Sequence, residues 1–493
     1  MELTDVLDHA ERERLAALGA LDGARQGELG QFFTPAPAAQ LIASMAKLPP
    51  VDTLRVLDPG AGSGMLSAAV IARVLAERPE SSIEVVALER DPTVIPHLRA
   101  TLGACESASS GRLSVRIIEA DFILGSTGMD GLLPSLGEFD LVIENPPYGK
   151  LAVSSAHRRA MRGSGVDAPN LYAAFLALSV SALRPGGQIV AITPRSFFNG
   201  PYFSTFRRFF LSRVALDHIH VFESRSTVFA DTGVLQENVI FAGTIDGDRQ
   251  QVELSVSRDH TDATSRRTVP YDEVVQPHDP HQFIRLATDA EDMATAELML
   301  SLPSSLSDLG VEVSTGRVVD FRSRHALHHD ATDGAVPLIY PGNIREGKID
   351  WPREIRKPQW FSTTEPRDQN LLVPDGWYVA VKRFSAKEER RRIVAGVWSP
   401  MMAGGRVAFE NHLNVFHIRG AGLDEALARG LTVWLNSSLV DRFFRTFSGH
   451  TQVNATDLRS MRYPSLNMLR ALGKTGAIMQ TEVDEAVREQ IAA

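Results

Sequence analysis

A single cysteine, Cys105, stands among 493 residues, so neither an internal disulfide nor a zinc site built from several thiolates can form. Long apolar runs are also missing: no stretch reaches the ~20 residues that a membrane-spanning helix requires. The opening MELTDVLDHAERERL is acidic and polar, unlike a secretory signal. Basic charge is not in excess, with 51 Lys and Arg facing 60 Asp and Glu. These absences predict a cytoplasmic protein, and the length predicts two or three domains rather than one core.

The charge deficit is uneven. Residues 246–310 carry 5 Lys and Arg against 13 Asp and Glu, whereas residues 311–480 carry 24 against 17. Charges are screened within about 8 Å at physiological salt, so a basic region inside an acidic chain still attracts a polyanion locally.

Residues 1–26 read as an amphipathic helix with Leu15, Leu18 and Leu21 at helical spacing. In the segment 27–245, short apolar runs (Leu54–Leu57, Ile83–Leu88, Leu113–Ile118, Leu141–Ile143 and Ile189–Ile192) alternate with helical sequence. That alternation predicts a doubly wound α/β domain with a parallel sheet. Residues 246–310 read as a connecting region and 311–480 as a mixed α+β domain with a helix near Leu431–Phe444, followed by an acidic tail, 481–493.

Three strand ends carry residues suited to a ligand. Val56-Leu57-Asp58-Pro59-Gly60-Ala61-Gly62-Ser63-Gly64 runs from a strand through a Gly-rich turn into a helix, allowing close backbone approach. Taken alone, that turn could equally serve a dinucleotide. The next strand ends at Glu89, where a carboxylate can accept bonds from ribose hydroxyls. The third ends Glu119-Ala120-Asp121-Phe122, supplying a carboxylate and an aromatic face.

The fourth strand ends in Asn145-Pro146-Pro147-Tyr148. Consecutive prolines fix φ and remove N–H donors, leaving a stiff loop that presents carbonyl oxygens. The Asn145 amide oxygen and the Pro146 carbonyl can together accept both hydrogens of a planar NH₂ group. Such a nitrogen is a poor nucleophile because its lone pair is delocalised, and two acceptors favour the pyramidal transition state. Tyr148 can supply a face for the ring that bears the amino group.

The order GQFFTP, DPGAGSG, LERDP, EADF, NPPY resembles the gamma-class N6-adenine DNA methyltransferases. Further likeness at Val234–Ile240, Lys382-Arg383-Phe384-Ser385 and Glu410-Asn411-His412-Leu413-Asn414 is to the PstI-like modification methylases of type II restriction systems. The resemblance implies a Rossmann-like methyltransferase domain followed by a DNA target-recognition domain. It also implies S-adenosylmethionine as methyl donor, with no metal, because a sulfonium methyl is already activated. Phe33, Thr34 and Pro35 would line the methionine end of the cofactor, with Asp58, Pro59, Gly60 and Gly62 around it. Glu89 would hold the ribose, and Asp121 and Phe122 the adenine. Duplex DNA would be the partner, with the target base flipped out and stacked on Tyr148 and Phe229.

In the basic region, Lys382, Arg383, Lys387, Arg390, Arg391 and Arg392 are expected at DNA phosphates, and Gln452 and Asn454, with Arg459 and Arg462, near base edges. His325, His328 and His329 read as a surface loop rather than a metal site. Asp375 followed by Lys382 lacks the second carboxylate of a nuclease pattern at Ala380, so any cognate endonuclease is expected as a separate protein. Two other readings are a methyltransferase for RNA or a protein amide, and a catalytically idle DNA-binding specificity protein.

Overall fold

The apolar runs of the first half form strands because residues buried on both faces suit a parallel sheet covered by helices. They are β1 (Thr53–Asp58), β2 (Ser82–Glu89), β3 (Leu113–Glu119), β4 (Phe139–Glu144) and β5 (Leu183–Pro194). Four more follow: β6 (Val214–Phe222), β7 (Asn238–Ile245), β8 (Gln251–Ser257) and β9 (Ser265–Pro270). The sheet order is β3-β2-β1-β4-β5-β7-β6-β8-β9. Strands β1 to β5 pair in parallel, whereas β7 is antiparallel to both β5 and β6. This computed structural model describes residues 3–21, 32–127, 136–222, 238–259, 264–287, 289–385, 389–401, 405–448 and 452–492. They divide into two units, Met1–Leu286 and Ala287–Ala493.

The helices of the first unit are α1 (Leu3–Ala20), α2 (Ala36–Ser44), α3 (Met65–Glu77), α4 (Ile95–Ala108), α5 (Phe122–Ser126), α6 (Ala156–Gly163), α7 (Leu171–Ala182) and α8 (Ser204–Arg213). Apolar residues surround α7 on all sides, and it is buried nearly throughout; Asn170 caps its start by accepting from the Ala173 N–H at 3.1 Å. Cys105 on α4 is fully buried, which pushes its thiol up to about 12. In α1 the buried apolar residues are Val6, Ala10 and Ala17, while Leu15 is 52% exposed, so the expected leucine stripe is only in part the packing face. No described helix is long and apolar enough to cross a membrane.

Residues 246–286, read as connector, instead supply β8 and β9 at the sheet's edge. Alternation along Gln251–Ser257 buries Val252 and Leu254, a period that high local acidity had obscured.

The second unit holds a six-stranded and a five-stranded sheet built from short strands. The single helix expected near Leu431–Phe444 is two, Glu425–Leu435 and Ser438–Phe447. The break falls where Asn436 ends the first and the Ser437 hydroxyl accepts from the Val440 N–H at 3.2 Å to open the second. The helix Leu466–Lys474 crosses Glu425–Leu435 at glycines: a Cβ on Gly430 would sit 1.7 Å from the Leu469 carbonyl oxygen, and one on Gly473 1.9 Å from that of Ala426. Overpacking of this kind typically costs about 1–3 kcal/mol. Gly430→Ala is therefore expected to lower the thermal midpoint by roughly 3–10 °C. Gly103→Ala, on α4 with open space around it, should leave it level or higher; equal melting of both variants would contradict the close crossing.

Candidate active site

Strands β1, β2, β3 and β4 run parallel and end on one edge, at Asp58, Glu89, Glu119 and Glu144. The order reverses between β1 and β4, the position where doubly wound sheets open a crevice. A cleft of ≈ 700 Å³, counted to its open mouth, lies there. Of the residues singled out from sequence, Phe33, Pro59, Gly60, Gly62, Glu89, Asp121, Phe122, Asn145 and Pro147 line it. Gly62 has φ +54, and a Cβ there would lie 3.0 Å from the Phe33 ring; one on Gly60 would lie 3.2 Å from Phe175. Side chains at these positions would fill the cradle.

Glu89 is held by backbone. Its Oε2 accepts from the Gly62 N–H at 3.0 Å, and Oε1 accepts from those of Arg90 and Asp91, both at 2.8 Å. Burial raises its pKa, and these three donors oppose the rise. Asp58 stands behind the Gly-rich turn, fully buried, and is not among the cleft's lining residues. The Ser67 hydroxyl donates to its Oδ2 at 2.7 Å, and burial pushes the carboxyl up to about 7.

Asp121 opens α5, its Oδ1 accepting from the Leu124 N–H at 3.0 Å. Its Oδ2 accepts from Arg90 Nη1 and pairs with His157 Nε2, both at 2.9 Å. Burial pushes this carboxyl up, but the Leu124, His157 and Arg90 donors together hold it below the usual carboxylate range. Neither Arg90 nor His157 was singled out from the sequence. Arg90 adjoins Glu89 and could have been noticed, whereas His157 lies in a stretch without a motif and only the docking of α6 brings it here.

The Asn145 carboxamide is oriented by its nitrogen. Nδ2 donates to the Phe32 carbonyl at 2.7 Å and to the Thr34 hydroxyl at 3.0 Å. A backbone carbonyl can only accept, so the nitrogen must face it. The amide oxygen is left buried and without a partner among the described residues. Thr34, expected beside a cofactor, thus holds the amide instead, while Pro35 precedes α2 as its cap residue. Pro146 is buried, and the Tyr148 ring lies 5.4 Å from that of Phe32, tilted by 42°. Phe229 lies outside the described residues.

Among the residues of the second unit expected at DNA, several are engaged within the fold instead. Arg392 is 1% exposed: its guanidinium donates to the Ser385 and Ser448 hydroxyls, both at 3.2 Å, and lies 5.6 Å over the Phe444 ring. It is a core arginine, because intrachain acceptors meet its donors. Asn454 is a helix cap, bonded to Asp457 Oδ2 through its backbone N–H at 2.9 Å and its side chain at 3.2 Å. Arg459 and Arg462 likewise donate to the carbonyls of Val313 and Leu302. Arg391 is half-buried and bonded to Asn436 and Gln480, and Arg390 is exposed. Lys382 is half-buried, which lowers its pKa. Arg383 donates to the Asn411 carbonyl at 2.7 Å, and Gln452 pairs with Phe384 through backbone. Lys387 lies outside the described residues. His325 pairs with Asp368 at 3.2 Å.

Glu144, immediately before the tetrapeptide, was not singled out either. It is fully buried, accepts from the Ser179 hydroxyl at 3.2 Å, and burial pushes it up to about 8 from an ordinary 4.5. A raised acid pKa means that the folded state favours the protonated form, so stability falls as pH rises through that window. Glu144→Gln removes this titration. The variant's melting temperature minus that of the parent should climb from about pH 5 to about pH 8, and a pH-independent difference would refute the buried neutral carboxyl.

The Eco57I restriction-modification methylase family profile matches residues 122–229. The type II methyltransferase M.BsuBI of Bacillus subtilis is 39% identical over 502 aligned residues, spanning 99% of this chain and 98% of that enzyme. The type II methyltransferase M.PstI of Providencia stuartii is 39% identical, spanning 97% and 96%. In fold, the Type IIL restriction-modification enzyme MmeI, solved in complex with DNA, aligns over 99% of this chain and 73% of its own with a TM-score of 0.55 at 12% identity. Near-complete alignment at that identity with two such enzymes makes this chain a member of the type II restriction-modification methyltransferases.

Proposed function

We propose that this chain transfers the methyl group of S-adenosylmethionine to N6 of adenine at a fixed sequence in duplex DNA, after the base is flipped out of the stack. It would be the modification half of a system whose endonuclease is a separate protein. Residues 27–245 would carry the chemistry and residues 311–480 the recognition of DNA. The observation that carries this reading is the Asn145 amide: both of its hydrogens are engaged and its oxygen is left buried and open.

The cleft fits the cofactor in its donor set and in its glycine cradle. Glu89 would hold the ribose hydroxyls, Asp121 the adenine amino group through the remaining lone pair of Oδ1, and Phe122 the ring. The bound cofactor supplies an activated methyl group. Asn145 Oδ1 and the Pro146 carbonyl would each accept one N6 hydrogen, drawing the nitrogen from planar toward pyramidal and exposing its lone pair to the methyl. These acceptors bind the pyramidal nitrogen better than the planar one, which is the condition for acceleration.

Purified protein is expected to move labelled methyl to duplex DNA at one short sequence; labelling of tRNA or protein but not DNA would sink this reading. Asn145→Ala should cut transfer by about 10²-fold or more while S-adenosylhomocysteine binding persists. Thr34→Val removes one of the two bonds that aim the amide and should lower kcat by about 3–10-fold with little change in KM for the cofactor. Thr34→Ser, which keeps the hydroxyl, should restore it; equal loss in both variants would exclude the aiming role.

A further inference from the structure

The segments around Lys382–Ser385 and Glu410–Asn414 stood out in the sequence, and the site in the first unit leaves them without a task. In the second unit they meet. The Asn411 N–H donates to the Val318 carbonyl at 2.8 Å, and the Arg383 N–H donates to the His412 carbonyl at 2.9 Å. The turn at 410–412 is therefore held between the stretch that leads to Phe321 and Arg322 on one side and Arg383 and Phe384 on the other. Each side carries an aromatic ring at the surface beside a guanidinium. Phe321 is 66% exposed with Arg322 at 5.4 Å from its ring centre, and Phe384 is 45% exposed with Arg383 at 5.9 Å. The His412 ring, half exposed, lies 5.1 Å from that of Phe384.

Acidic groups at this face are already engaged. Glu410 is 1% exposed, and its carboxylate takes the His412 backbone N–H at 2.9 Å and pairs with His412 Nδ1 at 2.5 Å. Asp320 is paired with Lys357 at 2.6 Å. Outward at this face stand Arg322 and Arg324, exposed, and Lys382 and Arg383, half-buried, with the exposed Glu389 near Lys382. At the foot of the face, Arg383 Nε and Asn411 Oδ1, one donor and one acceptor, find no partner among the described residues. In duplex DNA, arginines suit phosphates and base edges, exposed rings suit a wedge at a base step, and polar side chains such as an amide suit base edges in a groove.

We propose that the face formed by Phe321, Arg322, Arg383, Phe384 and His412 around the 410–412 turn is where this unit reads base pairs in duplex DNA. The proposal rests on the reading of DNA as substrate and adds the residues that choose the sequence. Phosphate contacts alone would weaken binding to all sequences alike, whereas base reading weakens discrimination.

The test uses the full chain and two fluorescent duplexes. One bears the site found methylated in DNA from cells expressing the protein, and the other has that site scrambled. The double variant Phe321→Ala/Phe384→Ala and the single variant His412→Ala should each lower the preference for the true site by about 10-fold or more. S-adenosylhomocysteine binding should stay unchanged. Arg322→Gln, at a fully surface position, keeps the test open should the double variant fold poorly, and is expected to lower the same ratio. Unaltered preference in His412→Ala and Arg322→Gln would overturn the proposal while leaving the substrate reading in place. Parent protein that methylates tRNA or protein and no duplex would overturn both.

Discussion

One amide nitrogen ties the first unit together. Asn145 Nδ2 bonds residues 113 and 111 positions earlier in the chain, the Phe32 carbonyl and the Thr34 hydroxyl. The same short segment sends the Phe33 ring against Gly62 in the turn after β1. The wall of the cleft and the aim of the amide are thus one object: a shift of Phe32–Thr34 disturbs both. Two prolines stiffen the loop from its own side, and Leu171, the first residue of a helix buried on every face, closes it by donating its N–H to the Gly149 carbonyl at 2.9 Å. Rigid neighbours on both flanks are what preorganised acceptors need, since acceptors that must reorganise lose their advantage over water.

Around that loop the carboxyl groups differ by environment rather than by type. Asp121 sits among a histidine, an arginine and a helix start, and stays charged. Glu89 is buried but answered by three backbone N–H groups. Asp58 and Glu144, on adjacent strands, have one serine hydroxyl each and are pushed toward the neutral form by burial. The strand edge is thereby graded, charged at the mouth of the cleft and close to neutral beneath it. The deep pair tolerates burial because a protonated carboxyl escapes most of the desolvation cost.

The parallel strands β1 to β5 were legible in the sequence because each carries a short apolar-rich run and longer segments separate them; β6 to β9 were not singled out. The glycine turn, Glu89, Asp121 and Asn145 were legible because strand ends are where such a sheet places its chemistry. His157 and Glu144 were not: the first reaches Asp121 only through the docking of α6, and the second is a strand-end acid whose full burial against Ser179 only the packing of the fold reveals. The basic half misled in the opposite way. Arg392 and Asn454 carry groups that suit DNA, yet in the fold one fills a core and the other caps a helix, because a donor is used by whichever acceptor lies nearest. Local sequence states what a residue can do, and tertiary neighbours decide whether it is free to do it.

Cys105 has a practical consequence. With the chain's one thiol fully buried on α4 and its ionisation pushed up to about 12, almost no thiolate exists at neutral pH and none is within reach of a reagent. The folded protein is therefore a blank background for maleimide chemistry. A cysteine introduced at any exposed position would carry a spin label or dye alone, without first deleting a native one, so motions of single loops can be followed in the unaltered scaffold.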